Sequence, residues 1–253
     1  MKLAIMQPYF FPYIGYWQLI HAVDCFVLFD DVQYIRHGWI NRNRVLKPDS
    51  GWQYIVVPLK KHHSREAIKN VLVHPDKKWK ELILAQLAHY KKKARYFVET
   101  YQLVGDALSS ANEQGIAALN LSIVRTVCSV LGMMKDIRLS SAQYYDYTNV
   151  GDAGEWALRI AEQMAATEYI NPIGGKDLFS KEKYSASGIT LSFLRSNEVD
   201  YAQPGDFIPA LSIIDVLMFN GVEGTCRFLE EYDVTADSGC NMGSGGQHHT
   251  SSA

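Results

Sequence analysis

The sequence predicts an α/β fold built on a mainly parallel sheet, and three features carry that prediction. Short apolar runs bounded by breakers, LAIM at 3–6 and CFVLF at 25–29, have the composition of strands buried on both faces. Between them YWQLIHAV repeats its apolar residues at helical spacing, which makes a strand, loop, helix, strand unit. Strands continue to alternate with helices down the chain, the pattern of right-handed crossovers in a parallel sheet.

Taken in order, WQYIVVPL at 52–59 is the next strand, closed by Pro58, and NVLVH at 70–74 is a candidate fourth. Residues 79–108 and 115–133 are helical by periodicity, with a turn signal at 112–115, so they read as an antiparallel helical pair. IRLSS at 137–141 returns the chain to the sheet, and GDAGEWALRIAEQMAA at 151–166 is an amphipathic helix with Asp152 near its N-cap. EYIN at 168–171 and ITLSFL at 189–194 are strands, and helices over about 211–219 and 221–232 close the fold. The expected architecture is a Rossmann-like α/β domain over 1–232, with the helical segment of about 78–133 as an insertion. The remainder, 233–253, is Gly/Ser-rich without periodicity and reads as a disordered or added tail.

A chain of 253 residues that is 47% hydrophobic and 21% charged, with net charge -2, is of ordinary globular composition. It has no global basic excess, so nucleic acid is not an expected partner and any bound anion must be attracted locally. No apolar stretch approaches the roughly 18–20 residues of a membrane span. The cysteines at 25, 128, 226 and 240 form no C-x-x-C pair and three lie in apolar runs, so they read as reduced and the protein as cytoplasmic.

Ligands of an open parallel sheet collect beyond the carboxyl ends of its strands. MQPYFFPYIGY follows the first strand, where Gln7, Tyr9 and Phe11 can line a pocket. Gly15 lets a ligand approach the start of the next helix, whose free N–H groups favour an anion. Core packing is the commoner fate of any single aromatic in such a loop. After the second strand, FDDVQYIRHGWINRNR at 29–44 supplies Asp30 and Asp31, which can accept sugar hydroxyls, bind a metal or act as a base. As strand neighbours their side chains diverge, so one of the two faces the site. Asn41 and Asn43 add polar groups, and Arg42 and Arg44 can hold a diphosphate. Lys60 and Lys61 in KKHHSR add positive charge just past a strand, although a solvated face is the commoner role of such a run. His62 and His63 lack metal-site spacing, and no metal site is predicted.

NPIGGKD at 171–177 offers Gly174 and Gly175 for a tight turn, Lys176 as a point charge and Asp177 as an N-cap. A structural turn explains it nearly as well, and neither the P-loop spacing nor the dinucleotide glycine fingerprint is present. Gln203 lies in a loop before a helix capped near Ser212, with Asp215 as a first-turn carboxylate. No G-x-S-x-G elbow and no activated cysteine context points to covalent catalysis.

MQPYFFPYIGYWQLI at the start, NRNR at 41, YINPIGGKDLF at 169 and PALSIIDVLMFNG at 209 resemble, in this order, the WbqC-like family of bacterial proteins, over about residues 1–232. The resemblance implies a sugar-modifying role, because members of that family occur in gene clusters for O-antigen and other surface polysaccharides. More distantly, Phe10, Phe11, Pro12 and Gly15 are similar to the phosphate-binding loop of nucleotidylyltransferases and pantothenate synthetase, with Tyr16 where those enzymes have a histidine. The implied reaction is acylation of the amine of a UDP- or TDP-linked amino sugar, with an amino acid activated as its adenylate as one candidate donor. The cofactor is open, with ATP and Mg²⁺ as the candidate. Arg42, Arg44, Lys60 or Lys176 would hold phosphates, and Asp31 or His21 would deprotonate the attacking ammonium. His21 is equally well read as structural. The alternative is a non-catalytic nucleotide-sugar-binding or accessory protein of the same pathway, and a homo-oligomer is compatible with either.

Overall fold

The computed structural model describes residues 1–75, 78–110, 115–148, 150–197 and 199–236. Strand β1 (Lys2–Met6) leads through the aromatic loop into α1 (Ile14–Ala22) and β2 (Cys25–Leu28). A hairpin of β3 (Arg42–Leu46) and β4 (Trp52–Val56) precedes α2 (Lys78–Leu87), α3 (Phe97–Ser110) and α4 (Ile116–Val130). The chain re-enters the sheet at β5 (Asp136–Leu139) and continues through α5 (Glu155–Gln163), β6 (Glu168–Pro172), α6 (Lys181–Ala186), β7 (Thr190–Ser196), α7 (Ile213–Phe228) and β8 (Tyr232–Ala236).

The main sheet has six strands in the order β5-β2-β1-β6-β7-β8, parallel throughout except for the antiparallel β7–β8 pair. From β1 the chain builds outward through β2 to β5, then crosses back to lay β6 and β7 on the other side. This is the Rossmann-like order, in which the connections reverse between β1 and β6. Period-two alternation divides the core between the two faces of the sheet. Ala4, Phe26 and Leu28 join α1, α4 and α7 on one face, whereas Leu3, Ile5, Cys25 and Val27 join α5 and Tyr184 of α6 on the other.

Several elements differ from the sequence reading. Residues 42–46 form a strand rather than a loop, and its antiparallel partner at 52–56 stands with it outside the main sheet. RNRVL has no apolar run because one face carries Arg42 and Arg44, while Asn43 and Val45 are buried. The segment 70–74 makes only isolated bridges, Leu59 with Val73 and Leu72 with Gly115, and no strand. The helical stretch expected over 79–108 breaks after Leu87 into a short 3-10 turn at 88–92 before α3 begins. The expected turn at 112–115 falls mostly outside the described residues, as do 237–253 of the expected tail. The two closing helices are joined by a kink at Gly221, whose φ of 66° and approach to the Tyr96 ring, 2.8 Å from where a β-carbon would stand, both require glycine. Where the second helix was expected to end, YDVTA pairs with β7 instead, and its Tyr232, Val234 and Thr235 are residues that suit a strand.

The loop after β1 is core. Phe10 and Phe11 are 0% and 1% exposed, and Phe11 is held at a left-handed φ of 40°. Side chains from three distant segments take the loop's carbonyls. The Asn43 amide donates to the Phe10 and Phe11 oxygens (3.0 and 2.9 Å), Asn120 to Pro8 (2.8 Å) and the Ser212 hydroxyl to Phe11 (2.8 Å). Asn43 also accepts from the Arg44 N–H at 2.8 Å. Replacing Asn43 with alanine strands these buried groups, so Asn43→Ala is expected to lower unfolding free energy by roughly 2–4 kcal/mol in urea denaturation. A cost within experimental error would show that the Asn43 hydrogen bonds contribute nothing to holding the loop.

Candidate functional site

Beyond the carboxyl ends of β2 and β5 the two adjacent aspartates part company. Asp30 is 1% exposed and accepts hydrogen bonds from the Ser140 hydroxyl (3.0 Å), the Ser141 N–H (3.0 Å) and the Ser141 hydroxyl (2.7 Å). Asp31 turns the other way and lines a cleft of about 380 Å³ with Lys69, Ser140, Ser141, Tyr144, Tyr145, Tyr147 and Trp156. Its Oδ1 pairs with Lys69 Nζ at 2.9 Å and its Oδ2 accepts from the Tyr147 hydroxyl at 2.8 Å. Behind them Phe29, Tyr147 and Trp156 pack ring against ring, with centroids 4.7–6.3 Å apart.

Burial alone pushes the Asp31 carboxyl up, but the neighbouring Ser140 hydroxyl, the hydrogen bonds from Lys69 and Tyr147 and the Lys69 charge outweigh it and hold the group below the usual aspartate range. The hydrogen bond to Asp31 raises Lys69, and burial followed by the Asp31 contact raises the Tyr147 phenol well above its ordinary value. At neutral pH the cleft therefore holds a carboxylate, an ammonium and a neutral phenol. Such a set can pair with a cation, accept hydroxyls and donate to a developing oxyanion.

The other residues singled out from sequence scatter. Gln7 and Tyr9 are half-buried. The Gln7 carbonyl accepts from the Tyr16 hydroxyl at 2.8 Å, and the Tyr9 ring lies 5.5 Å from that of Tyr16. Phe11 is enclosed and offers no surface to a ligand. Gly15 is covered by the Tyr13 ring, 2.6 Å from where a β-carbon would stand, so a ligand does not reach the backbone there without moving that ring. Asn41 is bound to Tyr34 and the Val57 carbonyl, and Asn43 to the aromatic loop. Arg44 lies between the Trp39 and Trp52 rings and donates to the Ala210 carbonyl at 3.1 Å, so its fork is directed at protein rather than at the strand-end cleft. Arg42, Lys60 and Lys61 line a separate cavity by the hairpin.

Gly174, Gly175, Lys176 and Asp177 form a 3-10 turn after β6. Gly175 lets the Asn171 amide approach closely, 2.4 Å from where a β-carbon would stand. Asp177 caps no helix; Ser180 caps α6, accepting from the Lys183 N–H at 3.3 Å. Lys176 lies 5.8 Å over the Phe193 ring. The start of α5 stands between this turn and the Asp31 cleft, with Gly154 against the Leu178 carbonyl and Trp156 packed on Phe29. His21 is remote from Asp31. Its carbonyl accepts from Lys135 at 2.8 Å, next to the first residues of β5 and β2, at the amino-terminal edge of the sheet. Gln203 is consumed by Tyr201, Asp215 and Ile208.

Lys69, Tyr147 and Trp156 escaped sequence reading. The signal that points to them is SSAQYYDY directly after β5, a hydroxyl- and tyrosine-rich run at a strand's carboxyl end. Among the described residues no group of three or more His, Cys, Asp or Glu side chains gathers where it could hold a metal ion, and no helix is long and apolar enough to cross a membrane.

The chain belongs to the WbqC-like protein family, which matches residues 7–226. It is similar to the uncharacterized protein Rv1507c of Mycobacterium tuberculosis, at 29% identity over 225 residues that cover 88% of this chain and 95% of that protein. No solved structure matches it.

A second carboxylate is more deeply enclosed. Asp215, 0% exposed, accepts from the Tyr90 hydroxyl, from the Tyr201 hydroxyl at 2.7 Å and from the Gln203 amide at 3.0 Å. Burial outweighs these bonds and pushes it up to about 6. The folded protein thus holds this proton more tightly than the unfolded chain. Its contribution to stability is complete below the ordinary aspartate value near 3.8 and is lost as pH rises through about 6. Comparison of wild type with Asp215→Asn by denaturation is expected to show a decline of roughly 3 kcal/mol between about pH 4 and 6 in wild type alone. Parallel profiles would mean that Asp215 titrates normally.

Proposed function

We propose that this WbqC-like chain is a sugar-modifying enzyme of bacterial surface polysaccharide synthesis. It acylates the amine of a nucleotide-linked amino sugar in the cleft beside Asp31. The observation that carries this reading is the ionised Asp31, fixed between Lys69 and Tyr147 in a cavity walled by tyrosines and Trp156. Aromatic walls suit the apolar face of a sugar ring, and the carboxylate suits its ammonium.

In this reaction a nitrogen–acyl bond forms, the bond from the acyl carbon to its leaving group breaks, and the bound ammonium loses two protons, one to free its lone pair and one as the bond to carbon forms. A carboxylate held below its ordinary range binds an ammonium well and is a weak base towards it. Asp31 therefore orients the amine first. The first proton passes to solvent and frees the lone pair; Asp31 accepts the second as the bond to carbon forms, when the nitrogen becomes far more acidic, and releases it to solvent. The Lys69 ammonium, which has N–H groups beyond the one it gives to Asp31, is the donor available to the acyl oxyanion, while the Tyr147 hydroxyl holds Asp31 in place. Direct transfer, without an acyl-enzyme, fits the cysteines: burial pushes the Cys25 and Cys128 thiols up to about 11 and about 12, and both are buried. The donor is an activated acyl group, either preformed or made from an amino acid with ATP and Mg²⁺. The ion pair that already satisfies Asp31 favours a second reading, a nucleotide-sugar-binding protein without turnover.

Mass spectrometry of UDP- or TDP-linked amino sugars incubated with acyl donors is expected to show the acylated sugar. Asp31→Asn is expected to lower kcat by about 100-fold or more while the KM for the acyl donor stays level. Sugar binding without product, weakened by Asp31→Asn, would select the binding protein. Neither binding nor product would sink both.

A further inference from the structure

The loop 34–42, the end of β4 and residues 59–62 enclose a second cavity, of about 480 Å³. Arg36, Arg42, Lys60 and Lys61 line it together with His37 and His62, and no carboxylate does. In a chain of net charge -2 this is a local concentration of one sign. Arg36, Lys60 and Lys61 make no ion pair with any described residue. Gathering like charges in a concave, partly apolar wall is unfavourable until an anion neutralises them.

The cavity is also built rather than incidental. Arg42 Nε donates to the Gly38 carbonyl at 3.3 Å, its fork hydrogen-bonds the His37 carbonyl, and its guanidinium stacks 4.2 Å over the Tyr54 ring. His37 is thereby held at a left-handed φ of 63°, unusual for a residue with a side chain. The Tyr34 hydroxyl, near both guanidiniums, donates to Asn41 at 2.7 Å and fixes the loop from the other side. His62 Nδ1 contacts the Lys60 carbonyl at 2.9 Å, and its Nε2 has no hydrogen-bond partner among the described residues.

We propose that this cavity binds a diphosphate, such as that of a nucleoside diphosphate or a nucleotide-linked sugar. Arg36, Lys60 and Lys61, gathered beside the fixed charge of Arg42, suit two adjacent phosphoryl groups. The segments 30–34 and 66–69, bonded to each other backbone to backbone, run between this cavity and the Asp31 cleft. On the acyl-transfer reading, one ligand would place its diphosphate here and its sugar beside Asp31. That joint placement rests on the acyl-transfer reading; the anion site does not.

The test is calorimetric titration with inorganic pyrophosphate, ADP and UDP at low salt. Pyrophosphate is expected to bind, and Arg36→Ala and the double variant Lys60→Ala/Lys61→Ala are each expected to weaken it about tenfold or more, a difference of about 1.4 kcal/mol. These side chains lie at the surface, and unchanged circular dichroism and melting temperature establish that the variants fold. Asp31→Asn is expected to leave pyrophosphate affinity unchanged. The proposal is overturned if pyrophosphate fails to bind, if both variants bind it as wild type does, or if only long polyanions such as heparin bind. Pyrophosphate binding without sugar acylation would remove the acyl-transfer reading and leave this site standing.

Discussion

The hydrogen bonds to the buried carboxylate of Asp30 are the constraint on which the candidate site depends. β2 and β5 have four residues each, and their ladder alone is a short edge pairing. Asp30 extends it by taking two serine hydroxyls and a backbone N–H from the turn that follows β5. With Asp30 committed to the interior, the alternation of the extended chain sends Asp31 into the cleft. The same turn leads to Tyr147, which reaches back to Asp31. A single buried carboxylate thereby sets the distance between two strand ends and the direction of its neighbour.

The aromatic loop after β1 has a related logic with a different outcome. A connection of this length at a strand's carboxyl end invites reading as a pocket wall, yet its phenylalanines are enclosed. Its Pro8, Phe10 and Phe11 carbonyls, which would be costly to bury alone, are taken by Asn120, Asn43 and Ser212. The loop therefore ties the sheet to the β3–β4 hairpin, α4 and α7. By holding the hairpin it also positions Arg42, whose guanidinium shapes the basic cavity.

The parallel strands were legible because continuous apolar runs with breakers have few other uses, and their alternation with helices gave a mainly parallel sheet, although not the order of its strands. The hairpin was not legible: in RNRVL the alternation is present, but the outward face is arginine stacked on Trp39, Trp52 and Tyr54, and a charged aromatic face looks like a loop in sequence. Asp31 was visible as one of a diverging pair beyond a strand. Its partners were not, because Lys69 and Tyr147 lie 38 and 116 positions away and meet it only through the tertiary fold. His21 lies at the opposite sheet edge from Asp31, which its sequence position could not show: helix position says nothing of which sheet edge a side chain joins. Asp215 looked like a first-turn capping residue, and its burial among Tyr90, Tyr201 and Gln203 needed three separate segments to converge.

The central claim is that the amine of a nucleotide-linked amino sugar is held by Asp31, and a crystal structure of the protein with such a sugar tests it most directly. The account predicts the amino nitrogen within about 3 Å of an Asp31 oxygen, with the sugar ring against Trp156 or the neighbouring tyrosines. A sugar bound elsewhere, with the Asp31–Lys69–Tyr147 cluster intact and unvisited, would contradict it.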